Sequence, residues 1–525
     1  MYDLIIRNGY IIDGSGNPGF HADLAVRDGR IAAIGSRLPE DAKAEIDAKG
    51  HVVAPGFVDS HSHDDIIVES MPDMRHKLEQ GVTSEVVGMC GFSVAPISDS
   101  HKNDGLRVLK SLMHEGHPTD NTYNRLYSDY VKHNNELATG PHFYGLIGHN
   151  TIRIAVMGFE DREPTPEELE KMKDYVRDAM EAGALGISLG MAYTPGTFSR
   201  TDELIALCEV AASYGGIMTL HMRYENGMLL EGVRETIEIA RATGIRTVIS
   251  HHKVIGTPAV WGMTEQSLKM IDEAIAEGLD IYLDQYPYTA VSTMLNSILP
   301  PKYLSLGYDG VLACLKDPVK RQEIKEAMLA ERPAEDIFFG RLISSSPSHP
   351  ELNNVRLLEY AEEHNIDVFD LFFDVLVWDD MNTSACAFLM SEEDVDRVMR
   401  HPRTMIGTDG LMYPNCPNCH PRAIASFPRV LGYYVRERHT IDLVDAIRKM
   451  TGLPSMVYQM VGKGLLRTGM DADIVIFDPD TIIDSATFDD CFARCPGLDY
   501  VLVGGEVAVK DAVYQGLKNG QFHTR

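Results

Sequence analysis

The fold of this 525-residue chain is most constrained by one repeated unit: a short apolar run that ends in polar residues, followed by a helix-like segment. The runs are VVAPGFVDSHSH (52–63), SEVVGMCG (84–91), FYGLIGH (143–149), ALGISLGMAY (184–193), GIMTLHMR (216–223), TVISHHK (247–253), DIYLDQYPY (280–288) and TMIGTDG (404–410). Helical stretches lie between several of them. In TPEELEKMKDYVRDAMEAGA, Thr165 is placed as N-cap, Pro166 as first helical residue and Glu168 as partner in a capping box. SLKMIDEAIAEG runs to a stop at Gly278. Eight strands alternating with helices predict an α/β fold of the (β/α)8 TIM-like barrel type, with reactive groups at the strand C-terminal ends.

Two regions depart from this rhythm. Residues 1–54 read as short strands and turns, with Asn8-Gly9 and Asp28-Gly29 as hairpin signals, and DADIVIFDP and YVLVGGEVAVKDAVY near the other end have the same texture. Residues 1–54 plus 460–525 are therefore expected to build one small β-sandwich domain from both termini, around a barrel spanning 55–459. Residues 294–403 interrupt the alternation with helical patches of their own, RQEIKEAMLAE and SEEDVDRVMRH. An insertion that long between the seventh and eighth strands predicts a lid.

Composition narrows the partners. With 48 basic and 77 acidic residues the formal charge is −29, which argues against nucleic acid or an anionic membrane as the main partner. No apolar run approaches the roughly 20 residues that span a bilayer. The opening MYDLIIRNGYIIDG alternates like a strand rather than a signal peptide, and eight cysteines are too sparse for a disulfide framework. Both features predict a reducing cytoplasm.

Metal-ligand residue types recur at the strand ends. In VDSHSHDD, His61 and His63 are two residues apart, so on a strand both imidazoles project to one side. Cys90 ends the second run, His221 the fifth, His251 or His252 the sixth, and Asp409 the eighth. Singly, each has an ordinary explanation in packing or in a turn. Gathered around one barrel axis, they predict a metal site. Cys416 and Cys419, in NCPNCHPR, have the spacing of a haem attachment or of half a zinc site. With no export signal and no second CxxC, they read as a reduced loop pair.

These blocks resemble the amidohydrolase superfamily and, within it, the N-acyl-D-amino-acid deacylases (D-aminoacylases). The resemblance runs through DLIIRNGYIIDGSG, PGFVDSHSHDD, GVTSEVVGMCGFS, LHMRYE, ISHHKVIG, YPYTAVST, GTDG, FPRVLG and GKGLLRTGMDADIVIFDP. Hydantoinase-like relatives bridge two metals through a carboxylated lysine at the end of the fourth strand, and ALGISLGMAYTP contains none. The resemblance implies a tight site at Cys90, His221 and His251, leaving His252 to face elsewhere. It implies a second, weaker site at His61, His63 and Asp409. Thiolate and imidazole ligands suit Zn²⁺.

The expected reaction is zinc-dependent hydrolysis of an N-acyl-D-amino acid to a carboxylate and a D-amino acid. Asp409 is expected to move the proton from water to the departing nitrogen. Tyr193, ending the fourth strand, is a candidate donor to the oxyanion. By resemblance, Arg422, Tyr286, Ser292 and Lys253 bind the substrate, the arginine's planar fork suiting a carboxylate. His149 and Arg153, in GHNTIR, fit a family block without an assigned role. The competing expectations are a cyclic-amide hydrolase of the hydantoinase or dihydroorotase kind and a non-catalytic barrel scaffold. Preference for D over L enters only through the resemblance.

Overall fold

A computed structural model describes residues 1–39, 41–113 and 123–525. Each of the eight apolar runs contains a strand. Phe57–Asp59, Val82–Val87 and His142–Gly145 pair in parallel in that order. Ile147–Gly148, Gly186–Gly190, Ile217–His221, Arg246–Ile249, Ile281–Gln285 and Thr404–Ile406 form a second parallel series. Ser60 N donates to Ile406 O at 3.3 Å, and Ser62 bridges Gly410, which sets the last strand beside the first. These strands are buried on both faces, as Val82–Val87 is throughout, so they read as continuous apolar runs rather than alternating ones.

The helices between them follow local chemistry. Thr165 Oγ1 accepts from Glu168 N at 3.2 Å while Thr165 N donates to Glu168 Oε2 at 2.8 Å, the reciprocal cap that starts helix Pro166–Glu181. Helix Leu229–Thr243 stops where Gly244 takes a left-handed φ of +64°.

Strands from both ends of the chain share one sheet of nine: Tyr2–Ile11, Phe20–Arg27, Arg30–Gly35, Ala42–Asp47 and Val52–Pro55 join Ile474–Phe477, Leu498–Val503, Glu506–Lys510 and Val513–Tyr514. The hydrogen bonding is continuous, where a sandwich of two sheets would break it. Leu4, Ile6, Leu24, Val26, Ile474, Ile476 and Leu502 nonetheless converge on one apolar core, which a single sheet achieves by curling.

The insertion has its own antiparallel sheet of Val291–Met294, Ser384–Ala387 and Arg341–Ser345, and its own core around Leu315, Ile324, Phe338 and Phe372. Its end lies earlier than residue 403. Helix Glu392–Arg400 packs against helix Thr264–Ala276 and strand Thr404–Ile406, and Asp394 accepts from Gly262 N at 2.8 Å. Charge patterning in SEEDVDRVMRH shows a helix but not which body it covers, which is why the boundary was not readable. Among the described residues no helix is long and apolar enough to cross a membrane.

Candidate metal centre

The strand ends deliver their polar groups to one place. Cys90 Sγ lies 3.3 Å from His61 Nε2 and 3.3 Å from His251 Nε2. His63 Nε2 and His61 Nε2 lie 3.2 and 3.5 Å from Asp409 Oδ1. Two sets of ligand atoms each fall within 4.8 Å of one another: His61, His63, Cys90 and Asp409 in one, Cys90, His221 and His251 in the other. Cys90 belongs to both. Ligands on one tetrahedral zinc, at about 2.0–2.3 Å from the ion, stand roughly 3.3–3.8 Å apart, so these spacings are those of donors that share a cation.

Reaching this arrangement bends the backbone. Cys90, His251 and Asp409 have φ of +54°, +36° and +47°, a left-handed conformation that costs a non-glycine residue about 1–2 kcal/mol. Hydrogen bonds hold two of these turns: Asp409 N donates to His61 O at 2.8 Å, and His251 N donates to Asp284 Oδ1 at 2.6 Å. At the third, space decides. A Cβ on Gly190 would sit 1.9 Å from Cys90 O, so only glycine lets that loop lie against the fourth strand.

Electrostatics prepare the donors. Burial alone would raise the Cys90 thiol, but the charges of His61 and His251 hold it well below its ordinary value. Burial would likewise raise Asp409, and Arg422, whose Nη1 is 2.9 Å from Oδ2, with His251 and His63 holds it well down. Thiolate and carboxylate are the forms that bind a cation. Among the described residues the buried His221 Nδ1 has no hydrogen-bond partner, a donor position that a bound ion would satisfy. The donor set of sulfur, imidazole nitrogen and one carboxylate fits zinc.

Behind the ligands stand two carboxylates that the sequence reading did not single out. Asp284, ending strand Ile281–Gln285, also accepts from His61 Nδ1 at 3.2 Å. Glu225 lies 3.0 Å from His251 Nδ1, 3.3 Å from His221 Nε2 and 2.6 Å from Lys253 Nζ. Against burial, His221, Lys253 and His251 keep Glu225 ionised. Such partners fix imidazole orientation and tautomer. Their signal was positional only: Asp284 is a polar strand end without metal-ligand spacing, and Glu225 follows the histidine by one turn of loop.

A third layer is the fully buried Lys77. Its Nζ contacts Asp59 Oδ2 at 2.6 Å, Thr408 Oγ1 at 2.9 Å, Ser62 Oγ at 3.0 Å and Glu85 Oε2 at 3.3 Å. Asp59 in turn accepts from Thr408 N at 2.8 Å. The segments that carry the HxH pair and Asp409 are thus tied to one ammonium.

The expected substrate-binding residues are also at this centre, with partners of their own. Lys253 Nζ pairs with Glu225 Oε2 at 2.6 Å and lies 2.7 Å from His251 Nδ1. Arg422 lies over the Tyr286 ring at 4.4 Å and donates from Nη2 to Ser292 O at 3.3 Å. The Tyr286 hydroxyl points to Met390 Sδ at 3.6 Å. Tyr193 has its ring 4.8 Å from that of His221 and its hydroxyl 3.4 Å from Thr293 Oγ1. Burial, then the nearby Cys90 thiolate, pushes the Tyr193 hydroxyl far up, so it keeps its proton.

Other singled-out residues lie elsewhere. His252 points to Ser267 Oγ at 2.8 Å, away from the centre, because the chain turns at His251 just past strand Arg246–Ile249. His149 and Arg153 both pair with Glu203 in a buried cluster between helices His149–Met157 and Thr201–Ser213. Cys416 Sγ donates to Asn418 O at 3.1 Å and Cys419 N to Cys491 Sγ at 3.3 Å; all eight cysteines are free.

Two tests follow from these layers. Glu225→Gln is expected to weaken zinc binding about 10–100-fold in a chelator competition, because it loosens both imidazoles; unchanged affinity would show that Glu225 supports neither. Lys77→Met leaves Asp59 buried without its cation, and about 3–5 kcal/mol of stability should be lost. An unaltered thermal midpoint would contradict that account.

The whole chain is similar to known proteins. A family model described as amidohydrolase family matches residues 44–305 and 360–509. The D-aminoacylase of Alcaligenes xylosoxydans xylosoxydans is 36% identical over 525 residues, covering 100% of this chain and 98% of that protein. The crystal structure of N-acyl-D-glutamate deacylase from Bordetella bronchiseptica, complexed with zinc and a phosphonate inhibitor that mimics the tetrahedral intermediate, superposes with TM-score 0.84 at 35% identity over 99% of both chains. A D-aminoacylase structure with a binuclear metal center gives TM-score 0.85 at 35% identity over 100% of both chains. The L-hydantoinase of Arthrobacter aurescens, at 18% identity and TM-score 0.57, shares the fold alone.

Proposed function

Because the chain belongs to the amidohydrolase family, we propose that it hydrolyses the amide bond of N-acyl-D-amino acids, releasing a carboxylate and a D-amino acid. The observation that carries this reading is the Cys90 sulfur set 3.3 Å from an imidazole of each ligand group. Strand Gly186–Gly190 brings no lysine there, so the carboxylated-lysine bridge of the cyclic-amide hydrolases has no counterpart. The proposed framework is a closed (β/α)8 barrel over 55–459 with the terminal β domain and a lid formed by the insertion ahead of helix Glu392–Arg400, in a cytoplasmic enzyme of small molecules. The ordered parallel pairings and the Ser60–Ile406 hydrogen bond support that closure.

Cys90, His221 and His251 would hold one zinc tightly, and His61, His63 and Asp409 a second more weakly, with Cys90 within reach of both. Zinc held there supplies Lewis acidity, polarising the amide carbonyl and lowering the pKa of water towards 7.

The protein's own groups do the rest. Asp409 accepts the proton of the attacking water and returns it to the departing nitrogen. Its ion pair with Arg422 weakens its basicity until a substrate carboxylate competes for the same guanidinium. Substrate binding thus strengthens the base. Arg422 takes the carboxylate through its planar fork, with Lys253, Tyr286 and Ser292 around it. Tyr193, which keeps its proton, donates a hydrogen bond to the developing oxyanion.

A panel of N-acetyl-D- and N-acetyl-L-amino acids, assayed for amine release with and without added Zn²⁺, tests the reading. Zinc-dependent release from D substrates is expected, and turnover of hydantoin in their place would move the enzyme to the cyclic-amide class. Asp409→Asn should lower kcat by about 10²–10⁴-fold while the zinc bound to Cys90, His221 and His251 stays. Near-normal turnover in that variant would remove Asp409 from the proton transfer.

A further inference from the structure

Two chambers meet at the metal centre, and they differ in chemistry. One, about 580 Å³, is lined by His221, Glu225, Lys253, Tyr286, Arg332 and Arg341. The other, about 150 Å³, extends past His63 and Cys90 between Phe92, Val108, Phe159, Leu304, Val311 and Met381. Arg422 and Ser292 line both chambers and so stand at their junction; beyond them and the residues of the metal centre, no charged side chain among the described residues lines the second chamber.

We infer that the apolar chamber is the acyl subsite and that it selects an aliphatic or aromatic acyl group of about six carbons over acetyl. The inference rests on the deacylase reading above. The amine half of the substrate carries the carboxylate, and Lys253, Arg332 and Arg341 all face the larger chamber. Burying a carboxylate among Val108, Phe159 and Val311 would leave it without a cation, a cost of several kcal/mol in any apolar setting. With the amine half placed on the polar side, the acyl carbon's substituent is directed to the opposite side, against His63 and Cys90. An apolar cavity near 150 Å³ accommodates a benzene-sized molecule. A hexanoyl or phenylacetyl group fills that space, and a methyl group leaves most of it empty.

Side chains tie the two walls of the chamber to each other. Tyr308, on insertion helix Gly307–Lys316, has its hydroxyl 2.9 Å from Ser111 Oγ on helix Lys102–Met113. Arg107 on that helix reaches Asp380 Oδ2 of the insertion at 2.6 Å. The insertion and a barrel-side helix are thereby fastened over the apolar space, which limits the acyl length it admits.

The test is a ladder of acetyl, butanoyl, hexanoyl and octanoyl D-alanine, run beside N-acetyl-D-amino acids of increasing side-chain length. The acyl ladder should raise kcat/KM about threefold per methylene as far as hexanoyl and then level off. In calorimetric titration of the zinc-loaded enzyme, hexanoate should bind at least tenfold more tightly than acetate. Val108→Phe should cut the hexanoyl-to-acetyl ratio at least tenfold, and Phe159→Ala should move the optimum to octanoyl. A flat acyl ladder with the acetyl substrate still turned over would overturn the inference and leave the deacylase reading intact. So would a rise that follows the side chain in place of the acyl group. No release from any member of either ladder would overturn the deacylase reading itself.

Discussion

The centre depends on a buried sulfur anion. Cys90 is 4% exposed, and its thiol sits in surroundings that would ordinarily keep it protonated. Imidazoles from two different strand ends converge on it and hold it well below its ordinary value against that burial. Cys90 is consequently the atom on which the two groups of ligands are registered against each other: one arm reaches the HxH pair and Asp409, the other His221 and His251. The short strand Gly186–Gly190 makes room for the loop that carries this sulfur, since a Cβ on Gly190 would meet Cys90 O.

Around that sulfur the protein supports each donor from behind. Asp284 connects the first and sixth strand ends through His61 and the His251 backbone; Glu225 connects the fifth and sixth through His221 and His251. Lys77 fastens the first to the eighth. Three candidate ligands, Cys90, His251 and Asp409, hold left-handed backbone conformations, kept by the space at Gly190, by Asp284 and by His61 O respectively.

Much of this was legible in the sequence, and for physical reasons. Apolar runs ending in His, Cys or Asp show where each group emerges, while the turns just past the strand ends, left-handed at His251, set the directions of His61, His63, His251 and His252. The capping box at Thr165 is a local interaction and reads locally. Illegible were the features set by tertiary neighbours. Glu225 and Asp284 are single carboxylates whose role exists only through what faces them. Helix Glu392–Arg400 has a charge pattern that fits either the insertion or the barrel, and only packing assigns it. The terminal strands alternate as sandwich strands do, yet whether they form two sheets or one curled sheet depends on pairings between residues more than 400 positions apart, such as Val53 with Ile476. The CxxCH spacing was the converse case, a motif whose cysteines are occupied by loop packing.

The most direct measurement of the central claim is X-ray absorption at the zinc edge of the purified, active protein. The account predicts one sulfur scatterer at about 2.3 Å together with imidazole nitrogens at about 2.0–2.1 Å, and loss of the sulfur shell in Cys90→Ser. A first shell made only of nitrogen and oxygen in the wild-type enzyme would contradict it.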